Sequence, residues 1–280
     1  MRKFFKLYHI FKSLGVNPSS YYYYKHNFNS SIKKKAKFIQ LVFHEYSLSN
    51  GIYGSGKIAH SLSSKGFVCS KSKVARVMRQ LEIMAISAKK FPKKISKISE
   101  AERRQFVNLI KGVKIDKCNQ VWTTDITFIK TKSRMFYLVS FLDLFSRKIV
   151  AWDLCNDLKT KSILNVLEKA RISRNPGKGL IIHSDKGSQF RSLEYKLYLA
   201  KHNMIRSTTS INHSCDENSV QESFHASLKK EAVHHFFLSD FSDAYRVIFN
   251  YIEGFYNPIR LHSSLGYLSP VQFENQSFPS

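Results

Sequence analysis

Three acidic residues lie at positions where an α/β fold would bring carboxylates together. Asp125 lies within the strand-like run WTTDIT, Asp185 follows an apolar run in IIHSDKGSQF, and Glu222 lies in the helical segment SVQESFHASLKKE. A strand buried on both faces tolerates an acid only when its charge is paired, so a cation beside Asp125 is the simplest account. Asp185 is placed at a strand end, where ligands of α/β sheets collect. Each acid alone is typical of a surface or ion-paired carboxylate, but the three together favour a metal site.

Carboxylates in this arrangement suit phosphoryl transfer, in which a phosphodiester linkage is cleaved or formed. That reaction needs an activated oxygen nucleophile and a stabilised leaving oxygen, and two Mg²⁺ ions about 3.5–4 Å apart provide both. Mg²⁺ prefers carboxylate oxygens and keeps several waters, so a few acids are enough for two ions. Lys229 follows Glu222 by seven residues, which is about two helical turns. Both side chains therefore share a helix face, and Lys229 is predicted to contact a DNA phosphate, as is Lys186 beside Asp185.

Other chemistries fit the sequence less well. The four cysteines, even with His234 and His235, lack a zinc-ligand spacing, and the 11 glycines form no P-loop or dinucleotide-binding pattern. Ser184 does not lie in the Gly-x-Ser-x-Gly turn of serine hydrolases. Two neighbouring residues stay open to interpretation. His183 either tunes the metal site or forms a structural hydrogen bond, and Asp143 in LDLFSRK is interpreted as a structural or turn-capping acid.

The pattern of apolar residues predicts the elements that carry these side chains. Strands are expected at 121–130, 135–145, 148–155, 179–184 and 204–209, with helices at about 160–175 and 193–202. The near-continuous apolar run after Met135 is typical of a strand covered on both faces. This β-β-β-α-β-α-β order predicts an α/β fold of the ribonuclease H-like class, with a mixed sheet and flanking helices.

The N-terminal third predicts a different kind of domain, a small all-α region of the helix-turn-helix type. Residues 1–100 carry 20 Lys and Arg against 3 Asp and Glu, and the whole chain has a net charge of +25. Ser70 is a plausible cap for a last helix whose apolar face is formed by Val74, Val77, Met78 and Leu81. The charged side chains on its other faces are predicted to bind DNA: Lys71, Lys73, Arg76 and Arg79.

The basic stretch AKKFPKKISK, with Pro92 inside it, marks the clearest boundary. The predicted organisation is a basic helical DNA-binding region at 1–95, a linker at 96–117 and a ribonuclease H-like catalytic core with its C-terminal tail at 118–275. No apolar run has the roughly 20 residues of a membrane helix, and lysines interrupt the only apolar run near the start that could form a secretory signal. The absence of Cys-x-x-Cys pairs fits a reducing cytoplasm.

Several motifs together resemble the insertion-sequence transposases of family three, in particular their larger product with an integrase-like core. The resemblance is carried by WTTDITFI, FYLVSFLDLFSRKIVAW, HSDKGSQF, ESFHASLKKE and YNPIRLHSSLGYLSPVQFE, and it extends to SLGVNPSSYY and YGSGKIAHSLSSKGFVCSKSKVARVMRQL in the N-terminal third. The resemblance implies a DDE enzyme in which Asp125, Asp185 and Glu222 bind the metal ions and Lys229 is the basic residue after the glutamate. In the tail, Arg260 and His262 are candidate DNA contacts, although packing of the tail on the core is favoured.

The resemblance also implies a set of cofactors and partners. These are Mg²⁺ or Mn²⁺, two ions in all; DNA as element ends and as target; a homo-oligomer that pairs two ends; and a protein or fusion encoded in an upstream frame. A bacterial cytoplasm, with association to the nucleoid, is the expected location, and a membrane is not an expected partner.

The sequence departs from the family pattern before the glutamate. Asp185 and Glu222 are separated by 36 residues, one more than the family usually has, and His213 and Ser214 replace the usual Gly and Asn. Glu217 takes the place of the usual aspartate and is a minor competitor of Glu222. Two other functions therefore stay open: an inactive DNA-binding remnant or regulator, and a ribonuclease H-like nuclease that does not join strands.

Overall fold

The computed structural model of the protein describes residues 7–86, 108–209 and 218–277. The chain divides into two compact units, Met1–Ala88 and Lys89–Ser280. The stretch AKKFPKKISK lies outside the described residues, as do His213, Ser214 and Glu217. The predicted bounds of the linker therefore stay a prediction. In the part of the chain that the structure describes, no helix is both long and apolar enough to cross a membrane.

The N-terminal unit is helical, as predicted. Its helices are α1 (Leu7–Leu14), α2 (Pro18–Leu48), α3 (Ser55–Ser64) and α4 (Lys71–Gln80). Gly15 ends α1 with a φ of +61°, a left-handed conformation that glycine adopts without strain. Ser70 caps α4, because its side chain accepts a hydrogen bond of 3.2 Å from the Lys73 N–H. Helices α3 and α4 bury their apolar faces: Ile58, Ala59, Leu62, Val74, Val77 and Met78.

The second unit is built on a five-stranded mixed sheet with the order β3-β2-β1-β4-β5. The strands are β1 (Val121–Lys130), β2 (Met135–Asp143), β3 (Ile149–Cys155), β4 (Ile181–Ser184) and β5 (Ile205–Thr208). β1 pairs antiparallel with β2 and parallel with β4; β2 and β3 are antiparallel, whereas β4 and β5 are parallel. The predicted fold class is confirmed. The strands begin and end within two residues of the predicted bounds.

Helices cover the sheet and close its core. They are α5 (Thr160–Arg174), α6 (Ser188–Arg191), α7 (Leu193–Lys201), α8 (Ser219–Glu231), α9 (Phe241–Tyr251) and α10 (Pro270–Ser277). A five-residue π-helix, Ile252–Tyr256, continues α9. α5 packs against the sheet because Ile163, Val166 and Leu167 are apolar and fully buried beside Trp122 and Phe141. Burial of such large apolar side chains is the main source of stability for the unit.

The tail after α9 packs onto the sheet, as predicted. Asn257 pairs with the backbone of Ile149 on β3: its Oδ1 accepts from the Ile149 N–H at 3.0 Å and its Nδ2 donates to the Ile149 C=O at 3.1 Å. Leu265 is buried, and Gly266 turns the chain with a φ of +64°. The bridge between His262 and Leu268 then closes this loop. The tail is therefore part of the same packed unit as the sheet.

Candidate active site

Two of the predicted acids lie side by side on neighbouring parallel strands, with Asp125 in the middle of β1 and Asp185 directly after the carboxyl end of β4. In the register of β1 and β4, Thr124 is paired with Ser184. Asp125 and Asp185 are the next residue along each strand, so the parallel pairing brings both to the same place at the sheet. Thr124 and Ser184 are completely buried, whereas the two acids are only partly exposed. The carboxyl ends of parallel strands, such as that of β4, are where α/β sheets bind ligands.

The environment of Asp185 is one of concentrated negative charge. Burial raises the pKa of Asp185, and the nearby charge of Asp125 raises it further, while a hydrogen bond from the Gly187 N–H lowers it. That bond to Asp185 Oδ1 measures 2.9 Å. A Cβ at Gly187 would lie 3.0 Å from the same oxygen, so glycine permits the close approach. An acid whose pKa is raised by a neighbouring carboxylate suits a site for a divalent cation.

Asp125 is held between its own strand and α8. Its Oδ1 accepts a hydrogen bond of 2.7 Å from the Ile126 N–H, and its Oδ2 lies 3.4 Å from Nδ1 of His225. The other ring nitrogen of His225, Nε2, lies 3.2 Å from the Ser140 hydroxyl on β2. The imidazole therefore bridges β2 and the carboxylate of Asp125.

A second polar side chain fixes the rotation of α8 on the sheet. Gln221 is completely buried. Its Nε2 donates to the Ser140 hydroxyl at 2.5 Å, and its Oε1 accepts from the Thr123 hydroxyl at 3.2 Å. Buried amide groups are costly without partners, so this arrangement sets one orientation of the helix. Sequence analysis missed both Gln221 and His225; their spacing of four residues, which places them on one helix face, was the available signal.

The same helix carries the other two predicted residues, Glu222 and Lys229. Glu222 precedes His225 by three residues and Lys229 follows it by four, so all three lie along one side of the helix. Glu222 is exposed and Lys229 is half-buried. Burial lowers the pKa of the Lys229 ammonium, and the nearby charge of Asp125 raises it. Lys229 is therefore an electrostatic neighbour of the carboxylate pair.

Among the described residues, the three predicted acids do not form a group whose ligand atoms all lie within 4.8 Å of one another. The structure brings Asp125 and Asp185 together and places Glu222 on the adjoining helix. The donor set fits Mg²⁺ or Mn²⁺, because all its ligand atoms are carboxylate oxygens and the charge of Asp125 acts on Asp185.

One group of the described residues does meet that distance criterion, namely Cys118, Asp143 and Glu274. The carboxylate oxygens of Asp143 and Glu274 already accept hydrogen bonds from the protein. Asp143 accepts from the N–H groups of Asn119, Phe145 and Ser146 at 2.6, 2.9 and 3.2 Å, and Glu274 accepts from Arg174 and Lys148. Burial raises the pKa of the Cys118 thiol to about 12, so it stays protonated. The group is structural, and the turn-capping interpretation of Asp143 is confirmed.

The remaining predicted residues have distinct surroundings. The four basic residues of α4, namely Lys71, Lys73, Arg76 and Arg79, are exposed. Lys186 is partly exposed. Arg260 forms an ion pair of 2.6 Å with Glu231, and its side chain is only 12% exposed. His183 is completely buried, with Nδ1 2.9 Å from the Ser207 hydroxyl, which favours the structural interpretation. The predicted DNA contacts of the basic side chains stay predictions.

Comparison with known proteins defines the class of the chain. Two integrase core domain families match residues 116–215 and 222–278, and an HTH-like domain family matches residues 33–91. The solved structure of the HTLV-2 integrase catalytic core domain in complex with magnesium is 16% identical, with a TM-score of 0.44, and the match covers 56% of this chain and 97% of that chain. The matched families give the chain an integrase core domain and an HTH-like domain.

Its relatives narrow the class to a family. The transposase for insertion sequence element IS904 of Lactococcus lactis is 33% identical over 84% of this chain and 91% of the relative. Transposase InsF for insertion sequence IS3A of Escherichia coli is 31% identical over 85% of this chain and 82% of the relative. The chain belongs to the IS3 family of insertion-sequence transposases, as its motifs indicated.

Proposed function

We propose that the protein cleaves the ends of an insertion sequence and joins them to a target strand by phosphoryl transfer that depends on two metal ions. The observation that carries this proposal is the convergence of Asp125 and Asp185 on paired parallel strands, with α8 docked on Asp125 through His225. Neither acid forms an ion pair with a Lys or Arg among the described residues. Their charges are therefore available to bind a cation.

Asp125, Asp185 and Glu222 would hold two Mg²⁺ or Mn²⁺ ions. When bound, such ions activate an oxygen nucleophile and stabilise a leaving oxygen. The protein's own contribution is to position the substrate. Lys229, half-buried near Asp125, and Lys186, directly after Asp185, would bind phosphates of the DNA on either side of the reacting linkage.

The N-terminal unit would recognise DNA. Four basic side chains project from α4, whose apolar face is buried against the rest of the unit, so this helix suits the role of a recognition helix. The family relationship supports a homo-oligomer that pairs two element ends, and a partner or fusion encoded in an upstream frame. Action on bacterial DNA places the protein in the cytoplasm, at the nucleoid.

The test is an incubation of the full chain with a labelled duplex that carries an element end, in Mg²⁺ or Mn²⁺. Nicking and a strand-transfer product are expected from the wild type, and Asp185→Asn should lose both, by at least about a thousandfold. Retention of DNA binding by the variant shows that the fold is intact. Binding without nicking by the wild type would instead identify a regulator or inactive copy. Nicking without a joined product would identify a nuclease.

A further inference from the structure

A basic pocket lies on the side of α8 that follows Glu222. It has a volume of about 260 Å³ and is bounded by α8, by the turn between β2 and β3, and by the tail after α9. The lining includes Arg147, Arg260, His262 and Ser264, together with three serines of α8. None of the lining residues is acidic. Residues of two motifs that are distant in the sequence, LDLFSRK and HSSLGYLSP, thus meet in one cavity.

Arg147 is the residue of this pocket whose charge is least compensated. It lies in the turn after β2 and is only partly exposed, and its side chain forms no hydrogen bond or ion pair with any residue that the structure describes. Burial lowers the pKa of its guanidinium, and the charge of Asp143 offsets this only in part. Holding such a cation away from water is costly unless an anion joins it. An anion in the pocket would remove that cost.

Arg260 provides a fixed wall to the same pocket. Its Nε and Nη2 donate to the two oxygens of Glu231 at 2.8 and 2.6 Å, and Nη2 also donates to the Ser227 hydroxyl at 3.3 Å. The guanidinium carbon lies 5.8 Å from the ring centroid of Tyr256. These contacts hold the arginine in place. The pocket therefore joins one anchored arginine to one whose donors are available, a combination suited to the oxygens of a phosphate.

The pocket is next to the candidate active site. Ser223, which lines it, directly follows Glu222, and consecutive residues of a helix are about 100° apart around its axis. A DNA strand that passes Glu222 and continues around α8 would therefore reach the pocket. We propose that this pocket binds a backbone phosphate of the DNA strand that enters the active site. The inference rests on the proposed function, since it needs DNA as the substrate.

The test compares two neighbouring serines. Ser264 lines the pocket and Ser263 does not, and both are exposed on the same short helix. Ser264→Asp and Ser263→Asp therefore make the same change in net charge, and neither is expected to unfold the chain. Binding of a labelled duplex to the full chain is measured between about 50 and 200 mM salt. Ser264→Asp should bind about tenfold more weakly than Ser263→Asp, and its salt slope should fall by about 0.9, the effect of one lost phosphate contact.

A second variant separates binding from folding. Arg147→Gln should weaken DNA binding by a similar factor, with a melting temperature equal to or above that of the wild type, because a desolvated charge has been removed. Equal binding by the two serine variants would overturn the inference, as would an Arg147→Gln protein that melts lower and binds DNA normally. If the wild type itself bound no DNA, the proposed function would fail. If the wild type binds DNA and the two serine variants bind it equally well, only the inference about the pocket fails.

Discussion

The carboxylate of Asp125 is positioned by a chain of buried polar side chains. Thr123 bonds Gln221, Gln221 bonds Ser140, Ser140 contacts His225, and His225 approaches Asp125. A buried polar network is favourable only when its members are satisfied together. The network therefore couples the rotation of α8 to the geometry of the acid on β1. Because His225 contacts the carboxylate of Asp125, we expect it to act as a positioning residue.

Substitution of His225 tests this coupling. His225→Ala is expected to lower turnover by about 10–100-fold, the usual cost of losing a partner of a metal-binding side chain. His225→Asn, which keeps an N–H donor, should recover part of the loss. The measurements are single-turnover nicking rates and the concentration of Mn²⁺ that gives half the rate, which should rise for His225→Ala.

The matched control is His202→Ala, a histidine of the same unit beside α7 that contacts Tyr198. It should leave both quantities unchanged. A His225→Ala protein with a normal Mn²⁺ requirement and a reduced melting temperature would show that the histidine only packs the helix.

At the scale of elements, the C-terminal helix α10 is fastened to the core by one carboxylate. Glu274 accepts hydrogen bonds of 2.7 and 2.9 Å from Arg174 at the end of α5, and of 2.9 Å from Lys148 beside β3. Burial raises the pKa of Glu274, but Arg174 and Lys148 outweigh this and hold it at about 2. The ionised form of the acid therefore joins three elements that are distant in the sequence.

This contact predicts how stability depends on pH. Because the pKa of Glu274 is about 2 in the folded chain and 4.5 ordinarily, its contribution is present above pH 4.5 and is lost as the pH falls towards 2. Glu274→Gln should lower the free energy of unfolding by about 3 kcal/mol at neutral pH, since it leaves two partly buried cations without their partner. It should also flatten the acid side of the stability profile, measured by denaturant titration at a series of pH values. Glu194→Gln, at an exposed acid of α7, should change neither.

The sheet could be predicted from the sequence because its strands carry strong local patterns. In VWTTDITFIK the β-branched and aromatic residues identify β1, whose predicted and observed bounds coincide. Ser70 similarly identified the start of α4. The pairing of β1 with β4, and hence the proximity of Asp125 and Asp185, followed from the fold class that the order of elements indicated. These features depend on a few residues at a time.

Features that depend on contacts between distant residues could not be predicted in this way. α2 extends over 31 residues, although only part of it shows an apolar pattern. The face of α8 that meets the sheet is partly polar, so hydrophobic periodicity could not identify Gln221 and His225 as inward-facing. The partial burial of Arg147 could not be predicted either, because it arises from α8 and the tail, which follow it by more than 70 residues.

At the scale of the whole molecule, charge is divided unequally along the chain. The first 100 residues hold 20 of the 45 basic side chains but only 3 of the 20 acidic ones. Such a distribution attracts DNA through its backbone phosphates, without regard to sequence. The second unit holds most of the acids, including those proposed to bind metal ions. Affinity and chemistry are therefore assigned to different parts of the chain.

Removal of residues 1–95 tests this division. The shortened protein should bind DNA more weakly and show a flatter dependence of affinity on salt, because several Lys and Arg contacts to phosphates are lost. The measurement is a plot of the logarithm of the binding constant against that of the salt concentration. An unchanged slope would contradict the assignment of DNA binding to the N-terminal region. Circular dichroism of the shortened protein serves as the control for folding.

The pairing of Asn257 with Ile149 has a consequence for association between molecules. β3 is an outer strand of the sheet, and an uncovered outer strand invites the addition of a strand from another chain. The side-chain amide of Asn257 occupies both the N–H and the C=O of Ile149, as an incoming backbone would. The tail thus prevents a strand of another chain from pairing with β3 at Ile149. Any association between molecules would have to use other surfaces.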